Sequence, residues 1–482
     1  MTIYSPGGKM NYEFSKDTRR NIINSIEGKT YEVTIIGGGI TGAGIANILA
    51  ENGVSTLLVE KNDFSSGTSS GSSKLIHGGL RYLQNGRFLE VFRLLKERNY
   101  LIGHTDIVRP IEFHIFTGKK MWNRIELGIG MSLYNLLSGK FPLTRHAKNT
   151  GTYPDGIDGY YSYMDGITVD SELVIYNIVS AQRHGASCLN YMEAKEIKKS
   201  NGGYSITIYD NISGTYKTIY SRIVINAAGP WGNRLFEIAG IPTEQNFRLS
   251  KGIHIVFPFS IWGRKNAAVI KSLIDGRQLF IIPSGEVAYV GTTDKFTDNP
   301  DDFSINKEDI RYLVESISPF FPEFKEDKII AAFSGIRVLL GTGNDPGKIS
   351  RDFKISVIDN FISVLGGKIT DYRVGARKTA KIVSGILNKP LKIKNMPYID
   401  YSRKSQSYIL TDKGVNHKNY IDYSKKSQSL EEIIKYECPV KPEDIIRRRL
   451  ALSIYSLDLG KSLEEKIYTL MEVSHEDPHT GK

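Results

Sequence analysis

The stretch Tyr31 to Glu60, YEVTIIGGGITGAGIANILAENGVSTLLVE, leaves the chain little choice of fold. Val33, Thr34, Ile35 and Ile36 form a β-branched run of the kind found in buried parallel strands. The run enters Gly37-Gly38-Gly39 and Gly42, a G-x-G-x-x-G turn, and the small residues Gly44 and Ala46 follow on the helix that opens there. In such a turn the first glycine permits the bend, the second lets backbone approach a pyrophosphate, and the third lets helix and strand pack closely. The phosphates sit over the free N–H groups of the helix N-terminus. A second strand, Ser55 to Val59, ends at Glu60, where a carboxylate is placed to meet a ribose hydroxyl. Strand, turn, helix, strand and acid in this register predict a bound dinucleotide. A βαβ unit using its glycines only for packing is the lesser alternative.

At 482 residues the chain can bury a large core and is expected to divide into two or three domains. Its 40% hydrophobic and 24% charged residues describe an ordinary globular protein. Lys and Arg exceed Asp and Glu by 11, which suits an anionic substrate, an acidic membrane surface or nucleic acid without choosing among them. Two cysteines, Cys188 and Cys438, with no C-x-x-C argue against a disulfide framework or a Cys-rich metal site. No His-x-x-His or carboxylate cluster points to a metal. No apolar run is long enough to span a bilayer. Residues 1–30 read as an N-terminal extension without the apolar core of a signal peptide, so the chain is expected to stay on the side where it is made.

After Glu60 comes Asn62 to Tyr82, NDFSSGTSSGSSKLIHGGLRY. Its hydroxyl side chains and dense amides suit a loop around a pyrophosphate and ring, and Lys74, His77, Arg81 and Tyr82 are chemistry that a linker does not need. Phe88 to Ile102 predicts an amphipathic helix. Trp122 to Leu137, flanked by Lys119, Lys120, Lys140 and Arg145, predicts either a core helix or a helix lying on a membrane. Val169 to His184 predicts another helix, and RIVINAAGPW, Arg222 to Trp231, a strand ending in small residues where backbone passes close to a cofactor. Between Gly252 and Asp294 the runs IHIVF, QLFIIP and VAYVGTTD predict the antiparallel sheet of an inserted second domain. Two strands flank a turn at Asp359-Asn360, and Gly366-Gly367-Lys368-Ile369-Thr370 opens a helix reaching Leu387. The chain is Lys-rich from Lys389 to about Ile433, and a helical stretch around Pro442 to Leu457 carries Arg447, Arg448 and Arg449.

Taken together, VTIIGGGITGAGIA, GTSSGSSKLIHGGLRYL, NAAGPW, KGIHIV, GTTD, SGIRVL and GGKITDYR make the chain resemble the FAD-dependent glycerol-3-phosphate dehydrogenases of the aerobic, quinone-linked type. The resemblance runs from about Asp17 to Leu387, and SSKLIHGGLRYL is its most specific part. It implies a mixed α/β and α+β fold: a Rossmann-like FAD-binding domain, an antiparallel substrate-capping domain like that of D-amino-acid oxidase, and a short helical C-terminal region. The FAD-binding parts are expected at about 31–110, 165–235 and 350–387, the capping parts at about 111–164 and 236–349, and a basic, partly helical region at 388–482. The implied reaction oxidises sn-glycerol 3-phosphate to dihydroxyacetone phosphate by hydride transfer to FAD, with a membrane quinone taking the electrons. Peripheral attachment to the cytoplasmic face of the cell membrane, room for a homodimer and no nucleic-acid partner follow from the same resemblance.

Oxidising a secondary alcohol requires a hydride acceptor and a base for the hydroxyl proton. By the resemblance, His254 takes or orients that proton, and Arg337 and Lys368 lie near the reacting oxygen, where positive charge favours the alkoxide. Arg81, Tyr82 and Arg351 fall to the phosphate, which Arg can grip in a bidentate fork. Gly37, Gly38, Gly39, Gly42 and Glu60 hold the ADP half of FAD. Thr68, Ser69, Ser73 and Lys74 border the diphosphate and flavin, Ala228 and Gly229 lie close to the dinucleotide, and Gly367 and Thr370 face the polar edge of the isoalloxazine. His77 is the candidate for a covalent flavin bond, which is not predicted. Val338 stands where the family usually has a proline, and Asp371 replaces a common Thr with a charge expected to weaken phosphate binding. The rival readings are an oxidase using O₂, a nicotinamide dehydrogenase, and a non-catalytic FAD-stabilised protein touching RNA or membrane through Arg447 to Arg449.

Overall fold

The computed structural model describes residues 13–83, 86–105, 107–117, 121–139, 146–242, 247–347, 349–393 and 423–473, with backbone alone at 121–123, 423–429 and 473. The β-branched run becomes the buried strand Thr30–Ile36. It pairs in parallel with Thr56–Val59 on one side and with the end of Thr215–Asn226 on the other. Ser187–Leu189 and Phe361–Gly366 extend this sheet outward, also in parallel. Phe353–Ile358 closes one edge as a hairpin, with Asp359 at φ 52° in the turn, a conformation that Asp tolerates. The strands read as continuous apolar runs because both faces are covered. Helices Ile40–Glu51, Asp170–Arg183 and Tyr372–Leu387 seal one face. Residues of Met192–Ser200, Gly203–Asp210 and the short helix Gly232–Ile238 pack on the other.

Phe247–Pro258 runs through the second sheet, antiparallel to both Ala331–Leu340 and Val287–Gly291. The order continues through Gln278–Ser284 to Ala267–Lys271, which joins Val108–Thr117 in parallel. Val108–Thr117 in turn pairs antiparallel with Gly159–Thr168. That parallel seam unites two chain segments far apart in sequence, and its strands run straight across the boundaries expected at 110 and 164. Leu75–Ile76 also belongs to this sheet, so the loop after Glu60 leads from the dinucleotide turn directly into it.

The first described residues are tied to the region after residue 423. Phe14, wholly buried, donates its N–H to Lys435 O (2.9 Å) and accepts at its carbonyl from Cys438 N (2.7 Å). The expected N-terminal extension is therefore built into the core from Phe14 onward. The helix expected over Pro442 to Leu457 is broken into Pro442–Asp444, a wider turn Ile445–Arg449, and Leu452–Tyr455, with Ala451 at φ 51° between the last two. Lys461–Val473 follows, and Leu430, Ile433, Ile445, Leu463, Ile467 and Met471 give this region its own small core. No helix among the described residues is long and apolar enough to cross a membrane.

Candidate active site

One cavity lies between the two sheets, and its walls begin at the glycine turn. Gly37 turns at φ 116°, and a Cβ on Gly42 would stand 1.9 Å from the Gly37 carbonyl oxygen, so neither position admits a side chain. Gly38 N–H donates to Glu60 Oε2 (2.8 Å), while Glu60 Oε1 accepts from Asn62 N–H (2.9 Å). Ser69 Oγ accepts from Ile40 N–H (3.0 Å), capping the helix that opens at the turn. Thr68 donates its hydroxyl to Ile336 O, fastening this loop to the second sheet.

Gly37, Gly39, Glu60, Thr68, Ser69 and Ser73 all line the cavity. Ala228, Gly229 and Gly367 complete the same wall. A helix N-terminus, a row of hydroxyls and a carboxylate along one continuous hollow are the donors and acceptors that FAD requires, so the residues fit it.

The remaining wall is cationic. Arg337, Arg351 and Lys368 line it together with Tyr82 and His77. Asp294, from the GTTD run, holds both arginines: Arg337 Nη1 stands 3.3 Å from its Oδ1, and Arg351 Nη2 donates to its Oδ2. Arg337 also donates to Thr292 Oγ1 (2.7 Å). Burial works against the Asp294 charge, but Arg337, Arg351 and Arg277 outweigh it and hold the carboxyl below the ordinary Asp value. Burial and then Arg351 push Arg337 down to about 10, which leaves it protonated at neutral pH. Lys368 donates to Glu90 Oε1 (2.7 Å) and lies 4.9 Å from the Tyr82 ring centroid. Burial lowers the His77 pKa, Asp165 opposes this, and Lys368 and Arg351 add to the lowering.

Several expected site residues are placed elsewhere. His254 is 1% exposed and not on the cavity wall; its Nε2 lies 2.9 Å from Ser73 Oγ, so it touches the cavity only through that hydroxyl. Burial, with Arg337 and Lys74 adding to it, drives its pKa well below 6.5. Lys74 spends its ammonium on Asp170 Oδ1 (2.7 Å) and Ser70 O (2.8 Å), away from the cavity. Thr370, expected to offer a backbone donor, is buried and off the cavity wall, and its hydroxyl accepts from His77 N–H (3.1 Å). Arg81 is exposed and donates to Gly347 O, outside the cluster formed by Arg337, Arg351 and Lys368. Asp371 does not face the cavity either: it caps Lys368 N–H (3.3 Å) and pairs with Arg93 (3.0 Å). Its charge is thus met by Arg93 and Lys368. Asp294 and Glu90, the acids that orient the cations, were missed; GTTD was noticed as a motif, but nothing local gave its acid a partner.

Residues 32–366 match the family model described as FAD dependent oxidoreductase. The aerobic glycerol-3-phosphate dehydrogenase of Bacillus subtilis (strain 168) is 33% identical over 412 residues, covering 80% of this chain and 74% of that protein. The chain belongs to the FAD-dependent glycerol-3-phosphate dehydrogenases. The Staphylococcus aureus (strain MRSA252) enzyme of that name is also 33% identical, over 77% of this chain and 70% of its own. Among solved structures, the glycerol-3-phosphate dehydrogenase from Bacillus halodurans complexed with FAD superposes with a TM-score of 0.72 at 26% identity, over 95% of this chain and 94% of that one. Likeness to this dehydrogenase thus continues past Leu387, where the sequence resemblance was placed to end. The L-alpha-glycerophosphate oxidase from Mycoplasma pneumoniae shares the fold, with a TM-score of 0.57 at 18% identity, over 76% of this chain and 97% of that one.

Proposed function

We propose that the protein oxidises sn-glycerol 3-phosphate to dihydroxyacetone phosphate, with FAD as hydride acceptor and a membrane quinone as the final acceptor. The cationic wall carries this reading. Arg337, Arg351 and Lys368 share one cavity with the dinucleotide turn, and they exceed the two carboxylates that orient them, Asp294 and Glu90, by one positive charge. A phosphate monoester matches that surplus and the planar forks of the arginines. Arg351, Lys368 and the Tyr82 hydroxyl grip the phosphate, and Arg337 stabilises charge on the reacting oxygen. Bound along the wall from Gly37 to Gly367, FAD would supply the hydride acceptor for the carbinol carbon. His77, kept neutral by burial, is on the cavity wall and can take the hydroxyl proton. His254 is the poorer acceptor, because it is off the cavity wall and no acid offsets its burial as Asp165 does for His77; it orients the Ser73 hydroxyl instead.

For the proposed attachment to the cytoplasmic face of the membrane, contact with lipid is supported by two helices, Phe88–His104 and Met121–Leu137. A Cβ on Gly78 would meet both Leu95 and Tyr134, and Asn99 Nδ2 donates to Ser138 O (3.0 Å), so the helices run side by side in one direction. Their first halves leave Phe88, Leu89, Phe92, Ile125 and Ile129 exposed, with Leu89 87% accessible. Such a patch suits a lipid surface. Glu90, on the same turn as Leu89, holds Lys368, so the apolar end adjoins the substrate end of the cavity, where a lipid-borne quinone would arrive. The basic flanks Lys119, Lys120, Lys140 and Arg145 lie outside the described residues.

Anaerobic mixing of the holoenzyme with sn-glycerol 3-phosphate tests the proposal. Loss of the oxidised-flavin absorbance, followed by its recovery on adding a quinone, is the expected result. A flavin that stays yellow overturns it, and hydrogen peroxide formed in step with oxygen uptake would make the enzyme an oxidase.

A further inference from the structure

The loop from Glu60 to Ser65 grips Gly38 of the dinucleotide turn from both sides: Glu60 accepts its N–H, and Ser65 N–H donates to its carbonyl (3.0 Å). Asp63, in the middle of that loop, has no exposed side-chain surface and is met by four donors. Its Oδ1 accepts from Asn190 Nδ2 (2.9 Å) and Arg449 Nη2 (2.9 Å), and its Oδ2 from Arg448 Nε (2.5 Å) and Arg449 Nη1 (2.5 Å). Arg448 extends its other arm to Asp444 Oδ1 (2.6 Å), which also accepts from the Tyr191 hydroxyl (2.6 Å). Tyr191 N–H donates to Asn62 O (2.7 Å), so the cluster holds the loop on both flanks. Two carboxylates balance two guanidiniums, and neither arginine lines the cofactor cavity.

These arginines are therefore not the basic patch that their run suggests; only Arg447 of the three is exposed. We propose that residues 437–449 act as a clasp for the adenosine half of the cofactor, with Arg448 and Arg449 positioning Glu60 and the Gly38 peptide through Asp63. Apolar packing would bury the loop as well; here directional, paired charges also set where Asp63 sits. Both arginines are positioning residues: they touch neither cofactor nor substrate. The flavin end, built from Arg337 and residues 366–369, lies outside the clasp, and the inference holds whichever alcohol the enzyme oxidises.

The test uses the full-length protein, stripped of flavin and titrated with FAD or FMN by quenching of flavin fluorescence. Arg449→Lys keeps the charge and removes the fork. Its FAD affinity is expected to fall on the order of tenfold with FMN affinity unchanged, since FMN has no adenosine to position. Glu60→Gln should lower FAD affinity too, and the double variant should lose little beyond the larger single effect, because both changes act on one contact. Unchanged FAD affinity, equal weakening of FAD and FMN, or fully additive losses in the double variant overturns the clasp. If Arg449→Lys does not fold, Asp63→Asn, which keeps the shape of the acceptor, goes through the same titrations with the same criteria.

Discussion

Asp294 and Asp63 each hold a pair of arginines, yet one cluster opens on a cavity and the other is sealed. Around Asp294 the guanidiniums outnumber the acid, with Arg277 also 3.7 Å away, and the side chains of Arg337 and Arg351 are 17% and 25% exposed. Around Asp63 the acids match the bases, and Arg449 is fully enclosed. Their titration moves in opposite directions. Burial and a neighbouring Arg push Arg337 down, whereas Asp63 and Asp444 overcome burial and raise both Arg448 and Arg449. The stoichiometry of charge thus separates a surface that awaits an anion from a joint that needs none.

The largest expected effect breaks that distinction if it fails. Arg337→Gln should lower kcat/KM for sn-glycerol 3-phosphate by about 10²–10³-fold, the cost of losing one donor aimed at developing charge. Arg449→Lys, measured at saturating FAD, should leave the rate of flavin bleaching within about twofold by the same comparison. An equal loss of rate in both variants would erase the difference between the clusters.

Removing each aspartate sharpens it. Asp294→Asn and Asp63→Asn should each cost about 3 kcal/mol in denaturant unfolding, because buried cations lose their counter-charge. Inorganic phosphate should restore part of the loss in Asp294→Asn, since an anion can replace the acid there, and none in Asp63→Asn. Phosphate rescue of both would mean that the second cluster is also open.

Burial first, and then Arg337 and Lys74, act on His254. Its folded pKa lies below the ordinary value, so below about pH 6.5 the unfolded chain binds a proton that the folded one refuses. Stability should therefore fall on acidification, by up to about 1.4 kcal/mol per pH unit from this residue, and His254→Gln should flatten the slope in thermal melts. A slope unchanged in the variant would remove His254 from the account.

The smallest effect concerns Arg81. Exposed and bonded to Gly347 O, it contributes little, and Arg81→Ala should raise KM by less than about fivefold. A loss equal to that of Arg351→Ala would show that it turns inward during turnover.

The dinucleotide unit was readable because its signal is local: a β-branched run, a glycine turn and an acid at fixed spacing become Thr30–Ile36, the helix at Ile40 and Glu60. The hairpin at Asp359 was legible for the same reason. Resemblance, not pattern, picked out Arg337, Arg351 and Lys368, and the fold does bring them to one wall. Lys74 and Arg81 came from the same motif and face elsewhere, because a motif fixes the order of residues but not where each side chain finds its partner. Arg448 lies 385 residues from Asp63, and no window on the sequence joins them. A run of three arginines reads as a solvated face until tertiary structure supplies the acids.

The cavity takes its lining from residues as far apart as Ile36 and Ile369. A ribosome releases the glycine turn early and the far wall late, with the ties between Phe14, Lys435 and Cys438 later still. Until Ile369 has emerged, the nascent polypeptide has the opening half of a flavin receptacle and nothing to close it, so capture of the coenzyme waits for the far wall.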